Sequence, residues 1–190
     1  MGFESLPGSF RMLRLLLALL LLLTLAGGLA ACGGGDEASG ESTATPIPVP
    51  QDPAADIRRI VEGLDRDTSS KPDIVAPLGS PPPELETRDI VRGKGPKARN
   101  GDTLTMQYVG VSWSTGDEFD SSWGSAEPFS FQLGAGSVIP GWDEGLQGMR
   151  EGGRRLLVIP ADKGYGAQGQ PPDIGPNETL IYVVDLKTVG

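Results

Sequence analysis

The feature that most constrains this chain is a change of hydrophobic period at Gly79-Ser80-Pro81-Pro82-Pro83, a stiff boundary. Beyond it, apolar side chains recur at every second position. Leu104, Met106 and Tyr108 alternate with Thr103, Thr105 and Gln107; Phe129, Phe131 and Leu133 repeat the pattern; Leu180, Tyr182, Val184 and Leu186 share a face further on. A period of two puts such residues on one side of a strand. Arg154–Ile159 is an apolar run ended by Pro160, which predicts a strand buried on one or both faces, with Arg154 and Arg155 pointing to opposite sides. Trp142, Leu146 and Met149 instead follow helical spacing, with Pro140 at a suitable first position and Gly152-Gly153 as the expected stop. Strands with one short helix predict an α+β domain over residues 80–190: a curved antiparallel β-sheet wrapped around one short α-helix, which buries its Trp142 side in the concavity.

Upstream of the boundary the sequence reads as an address and a tether. Arg11 and Arg14 precede an uncharged apolar run, Leu15–Ala31, with the pattern of a secretory signal peptide. The run is just long enough to compete as a membrane span. Its end, Leu29-Ala30-Ala31-Cys32, resembles a bacterial lipobox, in which the cysteine is diacylated and becomes the first mature residue. Residues 1–31 are therefore expected to be a lipoprotein signal peptide, with Cys32 as a lipid anchor on the outer face of the cytoplasmic membrane. Met12 is an alternative start. Residues 32–79, rich in Gly, Ser, Thr, Pro and acidic side chains, are expected to form a disordered tether. Within it Ile57, Ile60, Val61 and Leu64 fall at helical spacing, predicting a short helix at 56–65 capped by Asp56. That helix either docks on the domain or forms transiently in the linker, and the tether reading favours the latter.

Composition narrows the chemistry. The 190 residues hold one cysteine and no histidine. An internal disulfide, a Cys/His zinc site and any histidine-based triad are thereby excluded, and neither metal nor cofactor is expected. Beyond residue 31, 14 basic residues face 24 acidic ones, which argues against nucleic acid as a partner. Tyr108, Phe119, Phe129, Trp142, Tyr165 and Tyr182, six of the chain's eleven aromatic residues, all fall in the strand-rich domain. Rings dominate cores in general, so the cluster reads equally as core or as the lining of a site.

Ordered motif blocks bear on that choice: Gln107-Tyr108-Val109-Gly110, Phe119-Asp120-Ser121-Ser122, Pro128–Gly134, Val138-Ile139-Pro140-Gly141-Trp142-Asp143-Glu144-Gly145, Tyr165-Gly166-Ala167 and Thr179-Leu180-Ile181-Tyr182. In this order the chain resembles the FKBP family of peptidyl-prolyl isomerases from Glu86 to Gly190. The resemblance implies that Trp142 is the floor on which a substrate proline ring rests. It makes Tyr108, Phe119, Phe129 and Tyr182 the walls, with Val138 and Ile139 on one side. The Ile139 N–H and the Tyr165 hydroxyl become donors to substrate carbonyls, and Asp120 the charged group at the rim, either catalytic or holding a turn. Tyr182 stands where the family usually carries Phe, adding a hydroxyl that needs a partner. Asp173, in the loop Gln168–Asn177, replaces an apolar residue that contacts the ligand in many relatives. Both departures bear on peptide preference and on macrolide binding.

The implied activity is cis/trans isomerisation of X-Pro bonds in secreted or envelope polypeptides, by a protein that is a monomer by default. The competing reading is a binding or chaperone module for proline-containing partners without turnover. Rotation about the peptide bond is opposed by about 18–20 kcal/mol of amide resonance, and no covalent bond is made or broken. A chain without histidine is therefore not handicapped for this chemistry.

Overall fold

The computed structural model describes residues 52–190. Its elements in chain order are α1 (Pro53–Gly63), β1 (Glu86–Val91), β2 (Thr103–Ser112), β3 (Glu118–Ser121), β4 (Phe129–Gln132), α2 (Pro140–Gly145), β5 (Arg154–Ile159) and β6 (Leu180–Val189), with a 3-10 turn at Ala161–Lys163. The six strands form one antiparallel sheet in the order β1-β5-β6-β2-β3. β4 shares the outer edge of β2 with β3: Thr103–Met106 pairs with β4, and Val109–Val111 with β3. The fold is the α+β architecture expected from the sequence. β1 and β3 are strands that the alternation did not single out, and both are short with largely exposed or half-buried side chains.

The period-two runs sort as anticipated. Leu104, Met106, Tyr108, Leu157, Ile159, Leu180, Tyr182, Val184 and Leu186 pack with Trp142, Leu146 and Met149 on one side of the sheet. α2 is shorter than the expected helix: it closes at Gly145 with Leu146 as C-cap, and Met149 reaches the core from the following turn. Gly148, at φ 69°, turns the chain well before Gly152-Gly153. Close seating on β5 requires a glycine at Gly141, where an added Cβ would lie 2.4 Å from the Ile159 side chain.

The opposite side of the sheet is buried too, and this departs from the expected tether. α1 has Asp52 as its N-cap, the side chain accepting from Ala54 N–H at 3.0 Å, and Pro53 in the first turn. Ile57, Ile60, Leu64 and Ile74 pack on Val109, Val111, Leu156, Val158, Ile181 and Val183. The helix foreseen at 56–65 is present, three residues earlier at its start. It is docked, because its apolar stripe meets the second apolar face of β2, β5 and β6. Asp56 does not cap it; its carboxylate accepts from Leu78 N–H at 3.1 Å and Gly79 N–H at 2.7 Å, tying the end of the arm back to the helix. Residues 32–51 of the anticipated tether, Cys32 among them, and the signal segment before it lie outside the described residues.

Polar contacts fasten this arm to the sheet. Arg154, fully buried, makes two 2.7 Å bonds to the Asp185 carboxylate and donates to the carbonyls of Asp65 (2.8 Å) and Ser70 (2.7 Å). Trp113 Nε1 donates to Gly79 O at 2.8 Å, and Lys187 Nζ to Thr68 O at 2.6 Å. Arg155 faces the other way, bound to Asp89 and the carbonyls of Gly145 and Gln147, so neither arginine enters the aromatic site.

Candidate active site

Trp142 sits in the first turn of α2, buried, with its ring surrounded edge-on. Its centroid is 5.1 Å from Tyr108, 5.1 Å from Tyr182 and 5.7 Å from Phe129, at interplanar angles of 80°, 85° and 83°. Edge-to-face contacts place the positive rim of one ring near the negative face of another, a favoured geometry. Around this floor lies a cleft of about 250 Å³ lined by Tyr108, Asp120, Phe129, Ser137, Val138, Ile139, Trp142, Tyr165 and Tyr182. The strands supply these side chains through their registers: Tyr108 from the middle of β2, Tyr182 near the start of β6, Asp120 from β3 and Phe129 from the first position of β4. Phe129, 37% exposed, forms the open rim.

Every lining residue expected from the sequence is in this cleft except Phe119. Phe119 stands behind the wall, packing edge-on against Tyr182 at 5.5 Å, and lines a neighbouring cleft instead. Gly110 makes that arrangement possible. A Cβ there would lie 2.7 Å from the Tyr182 ring and 2.8 Å from Phe119, so β2 must present a bare backbone beneath both rings. Asp173 also belongs to the neighbouring cleft, with Asp117, Glu118 and Glu178. Two contributors were not named as site residues from sequence. Ser137 lines the cleft, and Phe131 stacks on Phe129 at 5.9 Å and supports Trp142 from below at 5.8 Å. The alternation Phe129, Phe131, Leu133 carried the signal for Phe131; nothing in the pattern marked Ser137.

Polar groups are few and held in place. The Tyr108 hydroxyl donates to Asp120 Oδ2 at 2.6 Å, fixing the carboxylate at the rim. Burial pushes the Tyr108 phenol well above its ordinary value, and Asp120 raises it further. Burial does the same to Tyr182, with Tyr165, Asp120 and Tyr108 adding to the shift, which keeps protonated the hydroxyl that set this position apart in the sequence. The loop before α2 is pinned by Asp143, whose carboxylate accepts from Gly134 N–H (2.8 Å) and Gly136 N–H (3.0 Å). This positions Val138 and Ile139. The Ile139 carbonyl accepts from Trp142 N–H at 3.0 Å, and among the described residues no acceptor takes the Ile139 N–H. The cleft thus offers an apolar floor, aromatic walls and a free backbone donor at its edge, which suits a small cyclic apolar group flanked by carbonyls.

Comparison with known proteins agrees with this geometry. Residues 95–187 match the family model for the FKBP-type peptidyl-prolyl cis-trans isomerase. An FK506-binding protein of Streptomyces anulatus is 53% identical over 120 residues, covering 63% of this chain and 97% of that protein. The mouse peptidyl-prolyl cis-trans isomerase FKBP2 is 52% identical over 90 residues, covering 47% of this chain and 64% of its own. The crystal structure of AtFKBP13 superposes with a TM-score of 0.52 at 33% identity, covering 56% of this chain and 93% of that one. Sequence, sheet topology and cleft converge, and the chain belongs to the FKBP-type peptidyl-prolyl cis-trans isomerase family.

Proposed function

We propose that this chain accelerates X-Pro rotation in polypeptides outside the cytoplasmic membrane, with the proline ring on Trp142 and the chain carbonyls at the cleft edge. The observation that carries the reading is the ring of Tyr108, Phe129 and Tyr182 around Trp142 beside an unused Ile139 N–H. Cis and trans X-Pro differ by only about 0.5–1 kcal/mol, so the task is to lower a barrier between near-equal states. A planar amide carries a large resonance dipole that water solvates well, and the twisted transition state loses much of it. An apolar cleft that excludes water disfavours the planar form relative to the twisted one. The Ile139 N–H and Tyr165 hydroxyl hold flanking carbonyls, restricting the substrate to a turn-like geometry. Each tenfold acceleration requires about 1.4 kcal/mol of differential stabilisation. Asp120, held by the Tyr108 hydroxyl, is assigned to the cleft edge as an orienting group.

The same cleft is the site at which an FK506-type macrolide would bind, with the Tyr182 hydroxyl and the displaced Asp173 adjusting affinity. Anchoring through acylated Cys32 is supported by Arg11, Arg14, the apolar run Leu15–Ala31 and the Leu29-Ala30-Ala31-Cys32 sequence. Acyl chains contribute about 0.8 kcal/mol per buried methylene, enough for stable attachment when two chains are present. The experiment for activity is a protease-coupled or exchange-NMR assay on X-Pro tetrapeptides with residues 33–190, which retain the whole described unit. Acceleration lost on Phe129→Ala is the expected result; no acceleration by the parent protein defeats the proposal. For the anchor, Cys32→Ser should move the full chain from membranes washed at high salt to the soluble fraction, and membrane association that survives the wash would count against acylation.

A further inference from the structure

The chain is strongly acidic, yet its cations are not spread evenly. Arg92, Lys94, Lys97 and Arg99 are all exposed in the β1–β2 connection, and among the described residues none forms an ion pair. Arg150 lies alongside through a bridge with Lys97, its guanidinium donating to Gly95 O at 2.9 Å. Lys187 borders the same shallow groove as Arg92 and Lys94 and lies 5.3 Å over the Trp123 ring. Six cations therefore gather at one end of the sheet. The carboxylates beside them are Glu151, which accepts from Val189 N–H, Asp102, which accepts from Arg99 N–H, and Asp67, whose charge reaches Lys187.

The other end has the opposite sign. Asp117, Asp173 and Glu178 line the cleft behind Phe119, together with Glu118, which pairs with Lys71. β2 leaves the basic connection at Thr103 and ends at Ser112 in the acidic cleft; β6 starts beside Glu178 and returns to the basic end at Val189. Ten residues of strand separate the two ends, about 30 Å at 3.4 Å per residue. The Tyr165 loop lies at the acidic end, because it joins the last residue of β5 to the first of β6.

We propose that the Arg92–Arg99 connection, with Arg150 and Lys187, is a docking face for an anionic lipid bilayer, orienting the aromatic cleft away from the membrane and toward substrate. Net charge does not decide this. The Debye length at about 0.1 M salt is about 10 Å, so the carboxylates some 30 Å away are screened from a surface at which the basic end sits. Orientation rests on the reading that Cys32 tethers the chain, since a tether supplies the nearby bilayer. The stretch from Cys32 to Asp52, where the described fold begins, has a contour of at most about 70 Å. That exceeds twice the strand length, so the attachment point does not forbid the orientation.

The test uses residues 33–190, which contain both hydrophobic cores and lack Cys32, so its outcome is independent of acylation. Binding is measured by co-sedimentation with phosphatidylcholine vesicles containing a quarter phosphatidylglycerol, and with pure phosphatidylcholine vesicles. Binding only to the anionic vesicles at about 50 mM salt, lost when added salt shortens the Debye length several-fold, is the expected result. Each cation near an anionic surface is worth about a fivefold change in partitioning, so Arg92→Gln, Lys94→Gln and Lys97→Gln together should weaken it about a hundredfold. Isomerase activity should stay at the parent level, showing that the variant is folded. Neutralising the ion-paired Arg58, Arg88 and Lys163 should leave vesicle binding unchanged. Equal binding to neutral vesicles, no loss in the first triple variant, an equal loss in the second, or tighter binding to a short DNA duplex than to the anionic vesicles would each overturn the proposal. Association of full-length Cys32→Ser with membranes that survives a high-salt wash, which the basic face would not, would instead count against acylation and leave the vesicle result standing.

Discussion

The two faces of the sheet use the same three central strands for different ends. On the α2 side, Tyr108 and Tyr182 meet Trp142 and leave a cleft with an open rim at Phe129. On the α1 side, Val109, Val111, Leu156, Val158, Ile181 and Val183 are aliphatic and closed over by Ile57, Ile60, Leu64 and Ile74. The aromatic side is left uncovered at Phe129, whereas the arm lies over the aliphatic side, whose branched chains pack to the density of an interior. One face is built to admit a ligand and the other to exclude everything, and the residue types alternate along each strand accordingly. The family match begins at residue 95, downstream of α1 and β1, so the closed face is finished by a segment outside the matched region.

Removing the arm is the harshest way to break this comparison. Fully burying four aliphatic side chains of this kind contributes roughly 6–12 kcal/mol before the cost of ordering the segment, comparable with the 5–15 kcal/mol stability of a whole domain. A fragment of residues 80–190 is therefore expected to unfold at much lower denaturant, or to aggregate through the uncovered face. A denaturation midpoint equal to that of residues 33–190 would mark the arm as a passenger. A narrower version is Arg154→Ala, which strands the buried Asp185 carboxylate and frees the carbonyls of Asp65 and Ser70. Loss of one partner of a buried pair typically costs about 3–5 kcal/mol, and urea denaturation should show a loss of that order. Activity per folded molecule should be unchanged, because Arg154 is on the side away from the cleft.

Smaller effects sharpen the open face. Tyr108→Phe removes the 2.6 Å bond to Asp120 while keeping the ring against Trp142. Stability is expected to fall by about 1 kcal/mol, and kcat/KM by less than tenfold, if the ring rather than the hydroxyl shapes the cleft. A loss as large as that of a wall deletion would transfer the leading role to Asp120. Least of all should pH matter near neutrality. The chain has no histidine, and the phenols of Tyr108 and Tyr182 are pushed above their ordinary value. A raised phenol value means the fold favours the protonated form. That contribution is complete below the unfolded value of about 10 and is lost as pH rises through the folded values. Activity should be flat from about pH 6 to 9, with thermal stability declining only above about pH 10; a bell-shaped profile centred near 7 would require a titrating group that this cleft does not provide.

The same contrast explains what the sequence disclosed. The open face was legible because its residues carry two independent signals: the period-two runs that place Tyr108 and Tyr182 on one side, and the ordered motifs around Trp142. Seven of the eight residues expected to line the cleft are in its wall, and Phe119 is displaced only to the layer behind. The closed face was half legible. Ile57, Ile60 and Leu64 announced a helix, but their neighbours are polar, Gly-rich or acidic, and local composition outweighed the stripe. What decided the matter was long-range: an unclaimed second apolar face in Ile181-Tyr182-Val183-Val184, where both parities are hydrophobic. A strand buried on both sides needs a second cover, and among the described residues the apolar stripe between Ile57 and Leu64 supplies it. Arg154 and Asp185 were unreadable as a pair, because β5 and β6 bring them together only in register.

The proposed activity turns on the cleft around Trp142. The measurement that tests it is isomerisation of X-Pro tetrapeptides by residues 33–190, compared with Phe129→Ala, a rim residue 37% exposed whose truncation leaves the core largely intact. The parent should accelerate exchange, and the variant, folded by circular dichroism, should lose at least tenfold in kcat/KM. A parent without activity, or a folded variant as fast as the parent, would contradict the assignment of this cleft.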